Sequence, residues 1–319
     1  MRVLVTGAAG LYGVHVVDSL VNNSNVSAVI GIDNFSRNFI TEDIFYKNEN
    51  FNKKFTLIHE GFETLTTKRI DELNIDAIIH LAALVSIPES MFIPEKYFMN
   101  NEYGTFNLLQ VLYRTKNQPL MVYASSPEVY GNPKYFPMDI NHPTDPRSIY
   151  AVTKLAAEKH CKAMHEWYGY PVVIIRNFNT FGPNQNLWAY AAVVPEFIVR
   201  AIKNEPLIIH NSGDQTRDFI YVRDAADAYV KVILKNKELS GRTYNIGMGK
   251  QVNIRELASI IIKLAKSKSK IVYEKGRPAD LFALHADISN TIAEIDWQPK
   301  YSLEKGLTET IEWYRKHLK

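Results

Sequence analysis

The sequence predicts an α/β protein: a doubly wound parallel sheet followed by a smaller C-terminal α/β lobe. Three observations carry this expectation. Short continuous Val/Ile/Leu runs suit strands covered on both faces. Those runs alternate with helical patterns, which implies right-handed crossovers between parallel strands. The alternation turns irregular after about residue 176, where a second unit begins.

Val3-Leu4-Val5 is the first buried strand, and Leu11 to Val21 carries helix periodicity. Ala28 to Ile32 is the second strand and Phe55 to Ile58 the third. Between them, Asn34 to Lys54 is rich in Asn, Lys and Phe without a clean period and reads as a loop with a short helix. Ala77-Ile78-Ile79, Leu120 to Tyr123 and Pro171 to Ile175 give strands four to six, and Ile149 to Trp167 is helical. Later helical patterns cover Ala192 to Lys203, Val222 to Leu234, Ile254 to Lys266 and Ser302 to His317, separated by loops and short strands. The expected division is a sheet domain over residues 1–176, rejoined by about 207–235, with 177–319 mainly forming the smaller lobe.

Composition narrows the class. The 319 residues are 46% hydrophobic and 22% charged, ordinary for a globular protein. The net charge of +3 is interspersed and argues for neither nucleic acid nor an anionic membrane. The single cysteine, Cys161, excludes an internal disulfide and suits a reducing compartment. His165 follows it by one helical turn, yet core packing is the preferred role for this thiol. No basic leader precedes the first strand and no apolar run reaches spanning length, so a cytoplasmic protein is expected. The nine histidines show no paired ligand spacing, so no metal is expected, and His80 reads as a packed residue at a strand end.

Thr6-Gly7-Ala8-Ala9-Gly10-Leu11-Tyr12-Gly13 joins the first strand to the first helix. Glycines there let backbone approach a pyrophosphate closely, and the helix N-terminus offers free N–H groups and partial positive charge. A glycine triplet alone is weak, but strand before and helix after are the required context. Asp33 lies twenty residues beyond Gly13. A carboxylate there accepts from adenosine ribose hydroxyls and repels the extra phosphate of NADP, so NAD is expected. Nearby Arg37 points the other way, and a plain turn role for Asp33 is the alternative.

Tyr150 and Lys154 lie one helical turn apart on one face. An ammonium beside a phenol is expected to lower its pKa and make a general base. Ser125 and Ser126 end the fifth strand, where strand carboxyl ends line a ligand crevice. A hydroxyl there can hold a substrate hydroxyl against the tyrosine. Taken singly, the helical pair reads as a surface helix face and the serines as caps.

These blocks resemble an extended short-chain dehydrogenase/reductase of the NAD-dependent nucleotide-sugar epimerase/dehydratase type, with a Rossmann-type fold. The resemblance rests on Gly7, Gly10 and Gly13, on His80-Leu81-Ala82-Ala83, on Asn101-Glu102-Tyr103-Gly104-Thr105 and on Ser125 to Gly131. It continues through Tyr150 and Lys154, Phe178 to Pro183, Gln215 to Val222, Tyr244 to Gly247 and Arg277 to Asp280. It implies Tyr150 as base, Lys154 as its partner and a cofactor ribose contact, and Ser126 as the proton-sharing hydroxyl. It implies that Leu11, Tyr12, Asn34, Leu81, Ala82, Ala83, Asn101 and Ser125 join the glycines and Asp33 around NAD. Asn179, Arg217 and Arg277 would meet the donor's diphosphate, since guanidinium forks suit phosphate oxygens; without the surrounding motifs each arginine reads as a surface ion pair. Ser86, Val194, His210 and Asp280 would complete the donor site, with a UDP-sugar favoured. A homodimer through Glu95 to Tyr113 and Ile149 to Trp167 is implied by the resemblance alone.

Oxidation of the sugar, commonly at C4, is the shared first step; the fate of the keto-sugar distinguishes the subclasses. Val85 to Ser90 and Asp33 to Ser36 look epimerase-like. Glu128 stands where dehydratases and decarboxylases carry a catalytic glutamate, but its neighbour Pro127 has no proton-handling group. Leu284-His285-Ala286-Asp287 lacks a decarboxylase-like arginine. The expectation is a 4-epimerase, with a 4,6-dehydratase using Glu128, then a decarboxylase or reductase, kept open. A non-enzymatic dinucleotide-binding regulator is disfavoured because Tyr150, Lys154 and Ser126 are all present. Two departures from the family pattern stand out: Phe62 where an acidic residue is common near the adenine, and Asn177 at a commonly aromatic position.

Overall fold

A computed structural model describes residues 1–36, 45, 49–187, 192–276 and 281–318, apart from the side chains of Glu49 and Asn52. Arg37, Arg277 and Asp280 lie outside the described residues. The first half runs β1 (Arg2–Thr6), α1 (Leu11–Val21), β2 (Ala28–Ile32), α2 (Glu49–Lys54), β3 (Phe55–Ile58), α3 (Thr67–Leu73) and β4 (Ala77–His80). It continues with α4 (Ile87–Phe92), α5 (Pro94–Tyr97), α6 (Gly104–Tyr113), β5 (Leu120–Ser125), α7 (Ile149–Tyr168) and β6 (Val172–Asn177). The second half holds β7 (Asn179–Phe181), α8 (Val193–Lys203), β8 (Leu207–His210), β9 (Thr216–Arg217), β10 (Phe219–Tyr221) and α9 (Val222–Leu234). Then come β11 (Thr243–Ile246), β12 (Val252–Asn253), α10 (Ile254–Ala265), β13 (Ile271–Glu274), α11 (Ser289–Ile295) and α12 (Leu303–His317).

Seven parallel strands form the central sheet in the order β3-β2-β1-β4-β5-β6-β11. Alternation along each strand feeds two cores. Val122, Val173 and Ile175 pack with α1 and α9 on one face. Met121, Tyr123, Val172 and Ile174 pack with α3, α6 and α7 on the other. Burying such a side chain contributes roughly 1.5–3 kcal/mol, so a strand apolar on both faces has no solvent side to present. The expected doubly wound sheet is therefore present, with its topological switch between β1 and β4.

Three features differ from the linear expectation. The sheet has a seventh strand, β11, which pairs in parallel with β6 after the chain has built part of the lobe. Within 207–235, α9 contributes to the sheet core, while β8 pairs with β13 in the lobe. The Glu95 to Tyr113 stretch is helical but not uniformly α: a π-helical segment, Phe98–Tyr103, separates α5 from α6. The lobe has its own core of α8, α10 and α12 packed with β8 and β10.

Helix α7 reaches its place through a polar contact. Ser148 caps it by accepting from Ala151 N at 3.2 Å. Two turns past Tyr150, Glu158 receives a two-pronged bond from Arg176 of β6, at 2.9 and 2.7 Å, with both side chains almost wholly buried. The Arg176 guanidinium also covers the Tyr130 ring at 4.6 Å. Glu158→Gln leaves a buried guanidinium without its counter-charge and is expected to cost about 3–5 kcal/mol, read by urea unfolding. A loss below about 1 kcal/mol, the range of an exposed pair, would show that the contact does not hold α7 on the sheet.

Candidate functional site

The cleft lies at the carboxyl ends of the central strands, between sheet and lobe, and encloses about 970 Å³. Its first wall is the loop after β1. Gly7 adopts φ +68°, and a Cβ there would lie 2.7 Å from Ala82 N. At Gly13 a Cβ would fall 2.1 Å from Gly7 O, so α1 can press onto the loop only because that side chain is missing. Gly10 is the N-cap of α1 and supplies no side-chain cap, leaving first-turn N–H groups for an anion. Leu11, Tyr12 and Gly13 line the cleft there.

Asp33 braces this loop, accepting from Ala9 N at 3.0 Å and from Phe35 N at 2.8 Å, and it also lines the cleft with Asn34. Turn chemistry and cleft exposure thus coexist in one carboxylate. Asn184, which sequence reasoning missed, donates to Ala9 O at 3.1 Å and Gly10 O at 3.2 Å. It ties the lobe to the glycine loop across 174 positions, a pairing that no local pattern announces. Free first-turn amides, a cradle closed to any Cβ and a carboxylate beyond it fit a dinucleotide.

Leu81, Ala82 and Ala83 form the opposite lip. His80 lies below them, bonded through Nδ1 to Thr6 Oγ1 at 2.7 Å and through Nε2 to Thr105 Oγ1 at 3.1 Å. Burial, then the Lys154 charge, pushes its pKa down to about 3, so it is a neutral packed residue, as expected. Asn101 does not reach the cleft wall. Its amide is spent on Leu84, accepting from N at 2.8 Å and donating to O at 2.9 Å, so it shapes the lip from behind. Ser125 is likewise behind the wall, with its Oγ buried and unpaired.

Ser126, Glu128 and Tyr150 meet in the cleft. Ser126 caps the 3₁₀ turn Pro127–Tyr130 by accepting from Glu128 N at 3.3 Å, and it also hydrogen-bonds Tyr150. Cap and active hydroxyl are one residue. Burial pushes the Tyr150 phenol up to about 12; Ser126 lowers it and the Glu128 charge raises it further. The expectation that Lys154 lowers this pKa is therefore corrected. Lys154 is 4% exposed, its Nζ sits 4.5 Å over the Tyr123 ring, and desolvation pushes it down to about 7 against the Glu158 charge. Each group loses hydration on burial, and that loss outweighs the help of its own neighbours, Ser126 for Tyr150 and Glu158 for Lys154.

The lobe side of the cleft carries Asn179, Val194, His210 and Arg217, and Ser86 lines it from α4's N-cap. Arg217 Nη1 donates to Thr216 O at 2.8 Å. Phe62 is buried against the His80 ring at 4.8 Å, so this wall is apolar where an acid was the common alternative. Arg147 and Gln185 also line the cleft and had no sequence signal beyond proximity to known blocks. Cys161 is fully buried and burial raises its thiol, in keeping with a packing role. Among the described residues no acidic, His and Cys cluster forms a metal centre, and no helix is long and apolar enough to cross a membrane.

The family model described as GDP-mannose 4,6 dehydratase matches residues 4–310. The structure is similar to UDP-glucose 4-epimerase from Thermotoga maritima, solved with UDP-glucose, at a TM-score of 0.88 and 27% identity over 100% of both chains. It is similar to UDP-glucuronic acid 4-epimerase from Bacillus cereus, solved with UDP-glucuronic acid and NAD, at 0.89 and 30% identity over 99% of both. The sequence is also 32% identical to UDP-glucuronic acid decarboxylase 1 of Xenopus tropicalis, over 99% of this chain and 73% of that one.

The buried lysine makes stability depend on pH. Between about 7, its folded value, and its ordinary 10.5, the unfolded chain binds a proton that the folded chain does not. Its contribution to stability therefore rises with pH across that window. Lys154→Met removes it, so the variant's stability advantage is expected to be largest near pH 7 and to shrink toward pH 10 in urea titrations. An offset independent of pH would contradict the desolvated ammonium.

Proposed function

Because the chain belongs to the GDP-mannose 4,6-dehydratase family, the NAD-dependent nucleotide-sugar epimerases and dehydratases of the extended short-chain dehydrogenase/reductase type, we propose that it is a 4-epimerase of a UDP-sugar. The observation that carries this reading is the buried Tyr150 phenol, bonded to Ser126 in the cleft, with Pro127 as the next wall residue. That arrangement moves one hydroxyl proton and offers no side chain at 127 to handle another.

The residues suit NAD. Gly7, Gly10 and Gly13 admit the pyrophosphate, and Asp33 and Asn34 face the adenosine ribose. Leu81, Ala82 and Ala83 border the middle of the molecule, and Asn101, Ser125 and Lys154 support that border from behind. NAD supplies, when bound, a hydride acceptor for C4 and a positive ring beside the phenol. Tyr150 takes the C4 hydroxyl proton, and Ser126 holds that hydroxyl in line. Tyr150 returns the proton after the sugar has turned its other face. A phenol at about 12 stays protonated at neutral pH, so its action as a base depends on positive charge brought close to it.

Asn179 and Arg217 take the diphosphate of the donor, with Arg277 assigned to the same task from sequence alone. Ser86, Val194 and His210 border the sugar and base, and Asp280 is assigned beside Arg277. On this reading the dinucleotide lies on the sheet and the donor mainly on the lobe. Exposed Tyr103, Val152, Trp167 and Tyr168 on α7 and the π-helical segment support a second copy packing there as a homodimer. One buried cysteine and the absence of a spanning helix among the described residues suit a cytoplasmic enzyme.

Glu128 favours a second reading, a 4,6-dehydratase. Its side chain lines the cleft and its charge acts on Tyr150, where it could take a C5 proton. A decarboxylase fits less well, because Leu284 and Ala286 are buried and bring no cation to the cleft.

Incubation with UDP-glucose and proton NMR separates these readings. Accumulation of the C4 epimer supports the epimerase, and a 4-keto-6-deoxy product moves the assignment to the dehydratase. Tyr150→Phe is expected to lower turnover by about a hundredfold or more while dinucleotide binding persists. Turnover at the parental rate in that variant would defeat the mechanism.

A further inference from the structure

Asn177, the last residue of β6, has no part in the proton transfer assigned to Tyr150 and Ser126, yet it is 6% exposed and lines the cleft. Its Nδ2 donates to the buried Tyr229 hydroxyl at 2.6 Å. Its Oδ1 is buried with no hydrogen-bond partner. A buried amide oxygen is costly to leave unpaired, so the position calls for an N–H or O–H donor entering from the cleft.

Topology says which end of a ligand that donor belongs to. Alternation along β6 turns Arg176 toward α7 and Asn177 toward α9. Ser125 pairs in register with Arg176, so Asn177 stands level with Ser126 on the neighbouring strand. Asp33 follows β2, four strands away through β1, β4 and β5. At about 4.8 Å per strand that is roughly 19 Å along the crevice. An extended dinucleotide with its adenosine ribose at Asp33 has its nicotinamide toward the β5–β6 end. Asn177 lines the same cleft as Ser126 and Tyr150, which puts the Asn177–Tyr229 pair near the reacting end.

We infer that the Asn177 amide oxygen accepts a hydrogen bond from the carboxamide nitrogen of the nicotinamide and sets the orientation of that ring. The inference rests on the NAD reading and adds a cofactor-binding residue at the strand end where an aromatic side chain is the commoner choice. Tyr229 holds the amide from behind, so the oxygen is presented in advance of binding.

The test is equilibrium competition on the full chain between NAD and 3-acetylpyridine adenine dinucleotide, which replaces the carboxamide by an acetyl group and lacks its N–H donors. The wild type is expected to prefer NAD by on the order of tenfold. Asn177→Asp keeps an oxygen in place and is expected to retain the preference. Asn177→Leu is expected to abolish it. Because leucine strands the Tyr229 hydroxyl, the pair Asn177→Leu with Tyr229→Phe removes both polar partners together and guards against misfolding. A wild-type preference preserved in the leucine variants overturns the assignment, as does loss of preference in Asn177→Asp. Failure of the wild type to bind either dinucleotide overturns the NAD reading itself.

Discussion

The site depends on one buried contact, the two-pronged bond from Arg176 to Glu158 that seats α7 against β6. Bringing both charges out of water costs several kcal/mol per ion, so the pair adds little net stability. Its effect is positional: sliding α7 by one residue would leave a carboxylate and a guanidinium apart in a dry core. Arg176 then covers Tyr130, whose hydroxyl donates to Asn245 at 2.7 Å. Asn245 in turn donates to Met138 O at 2.9 Å and Asp287 O at 3.2 Å. The same chain of contacts therefore places Tyr150 on α7, the Glu128 turn and the strand β11 that closes the sheet.

A second constraint operates at the other end of the cleft. The glycine loop is tight enough that α1 touches it backbone to backbone, and Asn184 draws the lobe onto its outer carbonyls. Asp218 performs a comparable task below, accepting from Gly249 N at 3.0 Å and Ala286 N at 3.1 Å, with burial raising it to about 6. Asn184 thus ties the lobe to the glycine loop, and Asp218, next to the cleft residue Arg217, ties it to the segments after β11 that carry Gly249 and Ala286.

Electrostatics in that space derive from burial more than from pairing. Tyr150 is pushed up, and Lys154 and His80 are pushed down, each first by loss of water. Such a site disfavours charge on its own side chains. It also gives unpaired polar atoms their meaning: Asn177 Oδ1, Asn179 Oδ1, Asn184 Oδ1 and His210 Nδ1 are all buried and unsatisfied around one cavity.

Much of this was written in the linear chain. The bounds of α1, β2, β3 and α9 agree with the pattern residue for residue, because apolar period and flanking turns are local properties. Gly7, Gly13, Asp33, Ser126 and Tyr150 were legible for the same reason: each stands at a fixed offset from a strand end or helix start. What needed the tertiary structure is whatever depends on distant segments meeting. Strand β11 is four residues long and finds β6 only after about sixty-five intervening positions. Lys154 turns to the ring of Tyr123, Asn101 spends its amide on Leu84, and Asn184 and Asn177 take their places from partners 174 and 52 positions away. Residue type and spacing decide which groups can do chemistry; desolvation and the choice of partner, which decide what charge those groups carry, exist only once the chain has closed around them.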